Sequence, residues 1–283
     1  MNSLLVCTDL DRTLIPNGPQ RESPLARRRF AALASRAEVS LAYVTGRHRD
    51  LVEKAMADYS LPIPDFVIGD VGTTIYRVGP SHAWEARLDW QEHIGADWAG
   101  ISPASLAQLF NGLAALRLQE KAKQNRFKLS YYVPLQENPD LLLEAMRSRL
   151  DQRGVKARLI WSVDETEGVG LLDVLPAGAS KYHAIEFLMR HEGFGLADTV
   201  FAGDSGNDLE VLASPIPAVL VANSQRQVRD QARFLAESSG NSECLYMADG
   251  GFLGMNGNYS AGILEGIAHY HPQAEAWMRL NQQ

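Results

Sequence analysis

The sequence has few cysteines and no long apolar run. Its two cysteines, Cys7 and Cys244, form no CxxC pair among 283 residues, so we expect neither a disulfide framework nor a zinc site. This pattern favours the reducing cytoplasm. No apolar run approaches the roughly 20 residues of a membrane span. No basic segment leads into an apolar stretch at the start, so we expect neither a membrane anchor nor a signal peptide.

The sequence also has fewer positively than negatively charged residues. The chain has 27 lysines and arginines against 34 aspartates and glutamates, a formal net charge of −7. Because a nucleic-acid-binding surface needs a basic face to neutralise phosphates, this balance argues against a nucleic-acid partner. The hydrophobic content of 46% and the charged content of 22% are typical of a globular protein with a sizeable core.

Apolar strands alternate with helical segments in the first and last parts of the chain. Strands are predicted at Leu4–Thr8, Val39–Thr45 and Phe66–Ile68, and the alternation returns with "GLLDVLP" (170–176) and "DTVFAGD" (198–204). Near-continuous apolar strands between amphipathic helices indicate a parallel sheet covered on both faces. We therefore predict an α/β fold with a Rossmann-like parallel sheet as its core.

The middle of the chain differs in composition and in the order of its predicted elements. Three of the five tryptophans lie in one stretch, "HAWEARLDWQEHIGADWAG" (82–100). Helices and strands then mix, with predicted elements at Pro103–Leu116, Phe127–Val133, Pro139–Arg153 and 155–163. This pattern predicts a small α+β cap, residues 81–173, inserted into a discontinuous core of residues 1–80 and 174–283.

Carboxylates follow two of the predicted strands. Asp9 and Asp11 come after the first strand, and Asp204 and Asp208 come at and after the end of "DTVFAGD". Because ligands of an open parallel sheet bind beyond the carboxyl ends of its strands, we expect all four in one pocket. Four clustered carboxylates need a cation, and oxygen ligands favour Mg²⁺. The plainer alternative is an ordinary turn at Asp9 and a helix-start acid at Asp208.

Four short segments resemble, in order, the four motifs of the haloacid dehalogenase-like (HAD) phosphohydrolases. They are "DLDRT" (Asp9 to Thr13), "VTGR" (ending at Arg47), "ASK" (ending at Lys181) and "GDSGND" (ending at Asp208). The position of the cap and the segments "KLSYY", "LDVLP" and "VAN" resemble the subgroup that contains sucrose-phosphate phosphatase. The resemblance spans nearly the whole chain, and it implies a HAD fold with a phosphatase activity that depends on Mg²⁺.

The resemblance also implies a role for each motif residue. Asp9 is the expected nucleophile, which takes the phosphoryl group as an aspartyl-phosphate. Asp11 is the expected general acid for the leaving sugar oxygen and then the base for water. Thr45 and Lys181 are expected to contact the phosphoryl group. The expected Mg²⁺ ligands are Asp9, the backbone carbonyl of Asp11, Asp204 and, directly or through water, Asp208.

The implied substrate is a sugar phosphate, most simply a disaccharide phosphate such as sucrose 6-phosphate. The candidate substrate-binding residues are Thr13, Gly46, Arg47, Lys128, Ser130, Tyr131, Asp173, Asn207 and Asn223. Residues 128, 130 and 131 lie along one predicted strand, where side chains alternate between faces, so we expect part of this set to face the cap core. The tryptophans at 84, 90 and 98 are more readily core residues than sugar platforms.

Several alternatives stay open at this point. The same chemistry could act on mannosylfructose phosphate, a glycosyl phosphoglycerate or a polyol phosphate. A protein of another class would be a non-catalytic sugar-phosphate sensor, or a partner of the synthase that makes the sugar phosphate. Arg12 is a departure, because the family more often has a small or neutral residue there. Its side chain could influence substrate choice or point to solvent.

Overall fold

The computed structural model describes residues 4–79, 81–164 and 167–280. Within them, a larger sheet has eight strands in the order β12-β11-β10-β1-β2-β3-β4-β5. The strands are β1 (Leu4–Thr8), β2 (Val39–Val44), β3 (Phe66–Gly69), β4 (Thr74–Val78), β5 (Trp84–Ala86), β10 (Thr199–Gly203), β11 (Ala218–Leu220) and β12 (Leu245–Met247). Six of these strands, β1, β2, β3, β10, β11 and β12, form a parallel set whose carboxyl ends meet at one edge, and β4 and β5 extend it through antiparallel pairings.

Helices cover both faces of the larger sheet. One apolar cluster joins the sheet to α1 (Ala26–Ala34), α2 (Arg49–Tyr59), α9 (Ser260–Tyr270) and α10 (Glu275–Met278). The other joins it to α6 (Lys181–Glu192), α7 (Leu209–Leu212) and α8 (Arg226–Ser238). Strand β1 serves both clusters, because Val6 faces the first and Cys7 faces the second. This architecture is the predicted α/β fold with a Rossmann-like parallel core. No helix in the described part of the chain is long and apolar enough to cross a membrane.

A second, antiparallel sheet has the strand order β6-β7-β9-β8. Its strands are β6 (Arg117–Leu118), β7 (Leu129–Val133), β8 (Ala157–Asp164) and β9 (Val169–Pro176). Three helices belong to the same part of the chain, namely α3 (Leu88–Gly95), α4 (Pro103–Leu109) and α5 (Pro139–Asp151). Helix α5 begins where Asn138 accepts hydrogen bonds from the backbone of the first turn and Pro139 takes the first helical position. Trp90 and Trp98 are fully buried core residues.

Two predicted boundaries of the cap do not coincide with the limits of the second sheet. Strand β5 lies inside the predicted cap, yet it pairs with β4 of the larger sheet. Strand β9 crosses the boundary at 173/174, and Val174 pairs with Leu129 and Leu159 of the second sheet. The segment "GLLDVLP" is therefore not the first strand of the returning core, because its buried apolar side chains find neighbours in β7 and β8.

One predicted helix was too long. The pattern over Pro103–Leu116 gives only α4, which ends at Leu109. Gly112 has φ 85°, a left-handed conformation that does not continue an α-helix. The chain then reaches the short edge strand β6.

The turn that follows β3 has an unusual backbone. Asp70, Val71 and Gly72 have φ values of 50°, 60° and 93°, three left-handed residues in succession. Gly72 also lies against the start of α6, where an added Cβ would overlap the Ser180 carbonyl. Its carbonyl accepts a hydrogen bond of 3.0 Å from Trp90 Nε1. The turn is thus packed between the core and the second sheet's helices.

Gly72→Ala should therefore be strongly destabilising. The positive φ costs about 1–2 kcal/mol for a residue with a Cβ, and the overlap with Ser180 adds about 1–3 kcal/mol. The free energy of unfolding from urea titration measures the sum. Gly100→Ala is the matched control, because Gly100 has φ 79° with open space around its Cβ position. Equal losses in the two variants would contradict the packing argument.

Candidate active site

Three buried carboxylates lie together beyond the carboxyl ends of β1 and β10. Asp9 directly follows β1, Asp204 directly follows β10, and Asp208 ends a short helical turn four residues later. One carboxylate oxygen from each lies within 4.8 Å of the others, which is a geometry that could hold a metal ion. The structure therefore brings three of the four expected carboxylates, Asp9, Asp204 and Asp208, into one cluster.

Lys181 supplies the positive charge inside this cluster. It is the first residue of α6, and its Nζ lies 2.7 Å from Asp208 Oδ1 and 3.2 Å from Asp9 Oδ1. It also donates to Asn207 Oδ1 at 3.0 Å. Burial alone lowers the pKa of Lys181, but the charges of Asp208 and Asp9 outweigh burial and raise that pKa. The lysine is therefore a permanent cation in the site.

Negative charge still exceeds what the cluster can hold easily. Burial raises the pKa of Asp9, the charge of Lys181 lowers it, and the neighbouring carboxylates raise it further. The result is a pKa of about 8. Burial and the charge of Asp208 raise the pKa of Asp204 to about 7. Asp208 Oδ2 accepts backbone hydrogen bonds of 3.1 Å from Asp204 and Ser205, so it fixes the loop that carries Asp204. Three hard oxygen donors with surplus negative charge suit a divalent cation such as Mg²⁺.

The carboxylate of Asp11 is outside this cluster. Arg47 holds it through Nη2–Oδ1 and Nε–Oδ2 contacts of 2.6 and 2.7 Å, and Asn17 donates to Oδ1 at 2.7 Å. Burial alone would raise the pKa of Asp11, but the hydrogen bonds and charge of Arg47 lower it below the ordinary value. The sequence led us to expect Asp11 as a general acid, which needs a proton, and Arg47 as a substrate residue, whereas in this geometry the two residues bind each other.

A cavity of about 470 Å³ joins the acidic cluster to the second sheet. The larger sheet and its loops contribute Asp9, Asp11, Arg12, Thr45, Gly46, Arg47, Asp204 and Asn207, among others. The second sheet and its loops contribute Gln119, Lys123, Lys128, Leu171 and Asp173. Of the predicted substrate residues, Gly46, Arg47, Lys128, Asp173 and Asn207 thus line the cavity.

Four predicted substrate residues have other positions in the described structure. Thr13 Oγ1 donates to Asp204 Oδ1 at 3.4 Å, and Ser130 Oγ donates to Asp173 Oδ1. Each supports a cavity residue instead of lining the cavity itself. The Tyr131 ring packs edge-on against Phe110 in the core of the second sheet. Side chains alternate along a strand, so Tyr131 faces away from its neighbour Ser130.

Asn223 is the fourth of these residues. It is buried, its Nδ2 donates to the Arg12 carbonyl and its Oδ1 accepts from the Tyr259 backbone, both at 2.7 Å. Its amide therefore joins the loop after β1, which carries Asp9 and Asp11, to the backbone that leads into α9. A sequence motif could suggest the importance of Asn223 but could not show which side of the loop it contacts.

Sequence reasoning also missed cavity residues. Leu171 lies two residues before Asp173 on β9, so the two-residue period of a strand would have placed both side chains on the same face. Gln119 and Lys123 have no such signal. Both follow the edge strand β6 in the chain. Gln119 Nε2 donates to the Tyr131 carbonyl at 2.9 Å.

Arg12 lines the cavity and lies against Asp204. Its Nε is 3.3 Å from Asp204 Oδ2, and its backbone has φ 58°. A left-handed conformation favours glycine or asparagine over a long side chain. The departure noted in the sequence thus brings an extra cation to one of the three clustered carboxylates.

Known proteins resemble the chain in sequence and in fold. The family model described as sucrose-6F-phosphate phosphohydrolase matches residues 2–271. A protein of Nitrosococcus oceani with only the general name of a HAD-like hydrolase is 53% identical, over 99% of this chain and 75% of its own length. Sucrose-phosphatase 1 of Nicotiana tabacum is 30% identical over 95% of this chain, and the alignment spans only 59% of the tobacco protein.

A solved structure matches nearly the whole chain in fold. It is the X-ray structure of the sucrose-phosphatase from Synechocystis in complex with sucrose and phosphate. The TM-score is 0.72 at 25% identity, with 95% of this chain and 98% of that chain covered.

The parallel sheet, the inserted second sheet and the buried acidic cluster define a HAD-like phosphohydrolase. The predicted fold and the predicted class, a phosphoric monoester hydrolase, are confirmed by these likenesses. More narrowly, the chain belongs to the sucrose-6F-phosphate phosphohydrolase family, whose model covers nearly all of it.

The raised pKa values of Asp9 and Asp204 predict an unusual pH dependence of stability without metal. Both carboxyls hold protons in the folded state that they release in the unfolded state, where the ordinary pKa is 3.8. The folded protein should therefore lose stability as pH rises from about 4 to about 8. Thermal unfolding in a chelator measures this, and Asp204→Asn should reduce the slope. A midpoint that rises across this range would contradict the prediction.

The position of Arg12 predicts weakened cation binding at Asp204. Arg12→Asn removes the competing charge and suits the left-handed backbone, so Mg²⁺ should bind the substrate-free protein more tightly. We expect a gain of about fivefold, the equivalent of an ion pair of ~1 kcal/mol. Titration calorimetry with MgCl₂ measures it. Arg27→Asn is the control, since Arg27 pairs with Glu22 away from the site; unchanged affinity in Arg12→Asn would refute the idea.

Proposed function

We propose that the protein is a Mg²⁺-dependent phosphatase that hydrolyses a disaccharide phosphate such as sucrose 6-phosphate. One observation carries the proposal: the cluster of Asp9, Asp204, Asp208 and Lys181 opens into a cavity whose other wall presents Lys128 and Asp173. The first wall suits phosphoryl transfer, and the second offers hydrogen-bonding groups to hydroxyls. The sucrose and phosphate named for the Synechocystis enzyme support this choice of substrate. Cytoplasmic action, which the two free cysteines favour, is part of the proposal.

The phosphoryl transfer starts at Asp9. A carboxylate oxygen of Asp9 attacks phosphorus while the bond from phosphorus to the sugar oxygen breaks, giving an aspartyl-phosphate and the free sugar. Lys181 stays charged beside Asp9, so it orients the nucleophile and offsets charge on the phosphoryl oxygens. Mg²⁺, held by Asp9, Asp204 and the loop that Asp208 fixes, would supply further neutralisation of that charge. Positioning and electrostatics account for most of the acceleration in such transfers.

Asp11 handles the protons in both halves of the reaction. It donates a proton to the departing sugar oxygen, then takes one from the water that hydrolyses the aspartyl-phosphate. The bidentate contact with Arg47 opposes the first step, because it stabilises the ionised form of Asp11. An entering phosphate is a competing anion for the Arg47 guanidinium. Loosening of that contact raises the pKa of Asp11 when a proton is needed.

The second sheet would select the sugar. Lys128, Asp173 and Gln119 present an ammonium group, a carboxylate and an amide at the cavity wall. A volume of about 470 Å³ lies within the range of small-molecule sites. Ser130 fixes Asp173 by a hydrogen bond, so that carboxylate is held in one orientation for a hydroxyl group.

Substitution of the two aspartates tests the chemistry. Asp9→Asn should abolish turnover because an amide is not a usable nucleophile, and Asp11→Asn should nearly abolish it because the proton donor is lost. Phosphate binding should survive in Asp11→Asn. Steady-state phosphate release and calorimetry with inorganic phosphate measure these outcomes. Asp58→Asn, on the surface of α2, is the control; turnover near that of the wild type in either site variant would rule out the mechanism.

A substrate panel tests the specificity. Phosphate release from sucrose 6-phosphate, mannosylfructose phosphate, glucose 6-phosphate, trehalose 6-phosphate and an aryl phosphate is compared by kcat/KM, with and without Mg²⁺. We expect one disaccharide phosphate to be hydrolysed far faster than the others, and only with the metal. Release from none of them would favour the sensor over the enzyme.

A further inference from the structure

The turn Asp70–Gly72 contacts both the loop after β2, residues 45–47, and the part of the chain that contains the second sheet. On its core side, the backbone N–H of Asp70 donates to the Arg47 carbonyl at 3.0 Å. The N–H of Val71 donates to the Thr45 carbonyl at 3.2 Å. The turn therefore fixes the segment that carries Thr45 and the arginine bound to Asp11.

On its other side, the same turn meets the loop that leads into β7. Lys128 Nζ lies 4.0 Å from Asp70 Oδ1, and Asn125 Nδ2 donates to Thr73 Oγ1 at 2.9 Å. Asn125 and Lys128 pair with each other through two backbone hydrogen bonds, so they move as one unit. Residues 70–73 of the core thus contact residues 125–128, the turn that leads into the second sheet.

The Asp70–Lys128 pair is enclosed. The side chains of Asp70 and Lys128 are only 7% and 10% exposed. A charge removed from water needs compensation, and Asp70 is the carboxylate that forms an ion pair with Lys128 among the described residues. At 4.0 Å the contact is too long for a strong hydrogen bond. The ammonium group, which has three donors, therefore keeps capacity for a ligand in the cavity.

We propose that Asp70 is a positioning residue for substrate selection: it holds the ammonium group of Lys128 at the cavity wall, where that group contacts the sugar. The proposal rests on the proposed function. Asp70 does not line the cavity, so it acts through Lys128. Its removal should affect substrates whose sugar reaches Lys128 and spare a phosphate ester that lacks a sugar.

Steady-state kinetics of Asp70→Asn test this role. The substitution keeps the shape and an oxygen acceptor for Thr74 Oγ1, which lies 3.4 Å from Asp70 Oδ2, but removes the charge. We expect kcat/KM for the preferred disaccharide phosphate to fall about tenfold, ~1.4 kcal/mol, mainly through KM. The value for the aryl phosphate should stay within about twofold of the wild type, because its small group does not reach Lys128.

Two further variants separate positioning from simple docking. Thr73→Val removes the hydroxyl that contacts Asn125 and the Asp70 carbonyl without changing charge, and it should spare selectivity between the two substrates. In the background of Lys128→Met, Asp70→Asn should cause no additional loss, because the two residues act as a unit. Equal losses on both substrates in Asp70→Asn, or fully additive losses in the double variant, would overturn the proposal.

A measurement without substrate keeps the proposal distinct from the proposed function. Lys128 should label slowly with an amine-reactive reagent in the wild type and faster in Asp70→Asn, as read by mass spectrometry. Lys54, which is 68% exposed, is the internal control. Faster labelling at Lys128 without hydrolysis of any sugar phosphate would refute the function but keep the positioning role. Unchanged labelling would refute the positioning role itself.

Discussion

The contact of Lys181 with Asp9 and Asp208 is the constraint on which the rest of the site depends. A lysine with almost no exposure is tolerable only beside carboxylates, and carboxylates this enclosed are tolerable only beside cations. Helix α6 delivers the lysine at its first residue, and the ends of β1 and β10 deliver the carboxylates from opposite ends of the chain. The parallel order of β10 beside β1 is therefore what assembles the charges. Loss of Lys181 would leave the buried carboxylates of Asp9 and Asp208 without their cation.

Charge balance explains why the site suits a metal and a phosphate ester together. Each of the four carboxylates has a cation of the protein nearby: Lys181 serves Asp9 and Asp208, Arg12 serves Asp204, and Arg47 serves Asp11. Four negative and three positive charges leave one negative charge when all are ionised. A divalent cation reverses that sign. A dianionic ester is then attracted to a site that would otherwise repel it.

The carboxylates at the strand ends could be predicted from the sequence, whereas the pairing partners of strands and side chains could not. Asp9 and Asp204 follow apolar runs, and parallel strands bring such ends together, so their convergence needs only local patterns and one topological rule. The limits of the second sheet depend on which strands β5 and β9 pair with, which is a tertiary property. The same holds for Asn223, whose amide supports Arg12 from behind the loop. A period of two could indicate that Ser130 and Tyr131 face opposite ways, but not which one faces the cavity.

The strained turn after β3 contacts two segments that are far apart in the sequence: the loop that carries Arg47 and the strand approach that carries Lys128. Its backbone N–H groups donate to the carbonyls of Thr45 and Arg47, and Arg47 in turn holds the carboxylate of Asp11. Its carboxylate holds Lys128 of the second sheet. A ligand bound at Lys128 would therefore contact the partner of the same turn that fixes Arg47 beside Asp11. The left-handed conformations of Asp70 and Val71 cost ~1–3 kcal/mol each, whereas Gly72 adopts its positive φ without that cost. Such strain persists only where surrounding contacts hold it from both sides. Here those contacts come from the carbonyls of Thr45 and Arg47 on one side and from Asn125 and Lys128 on the other.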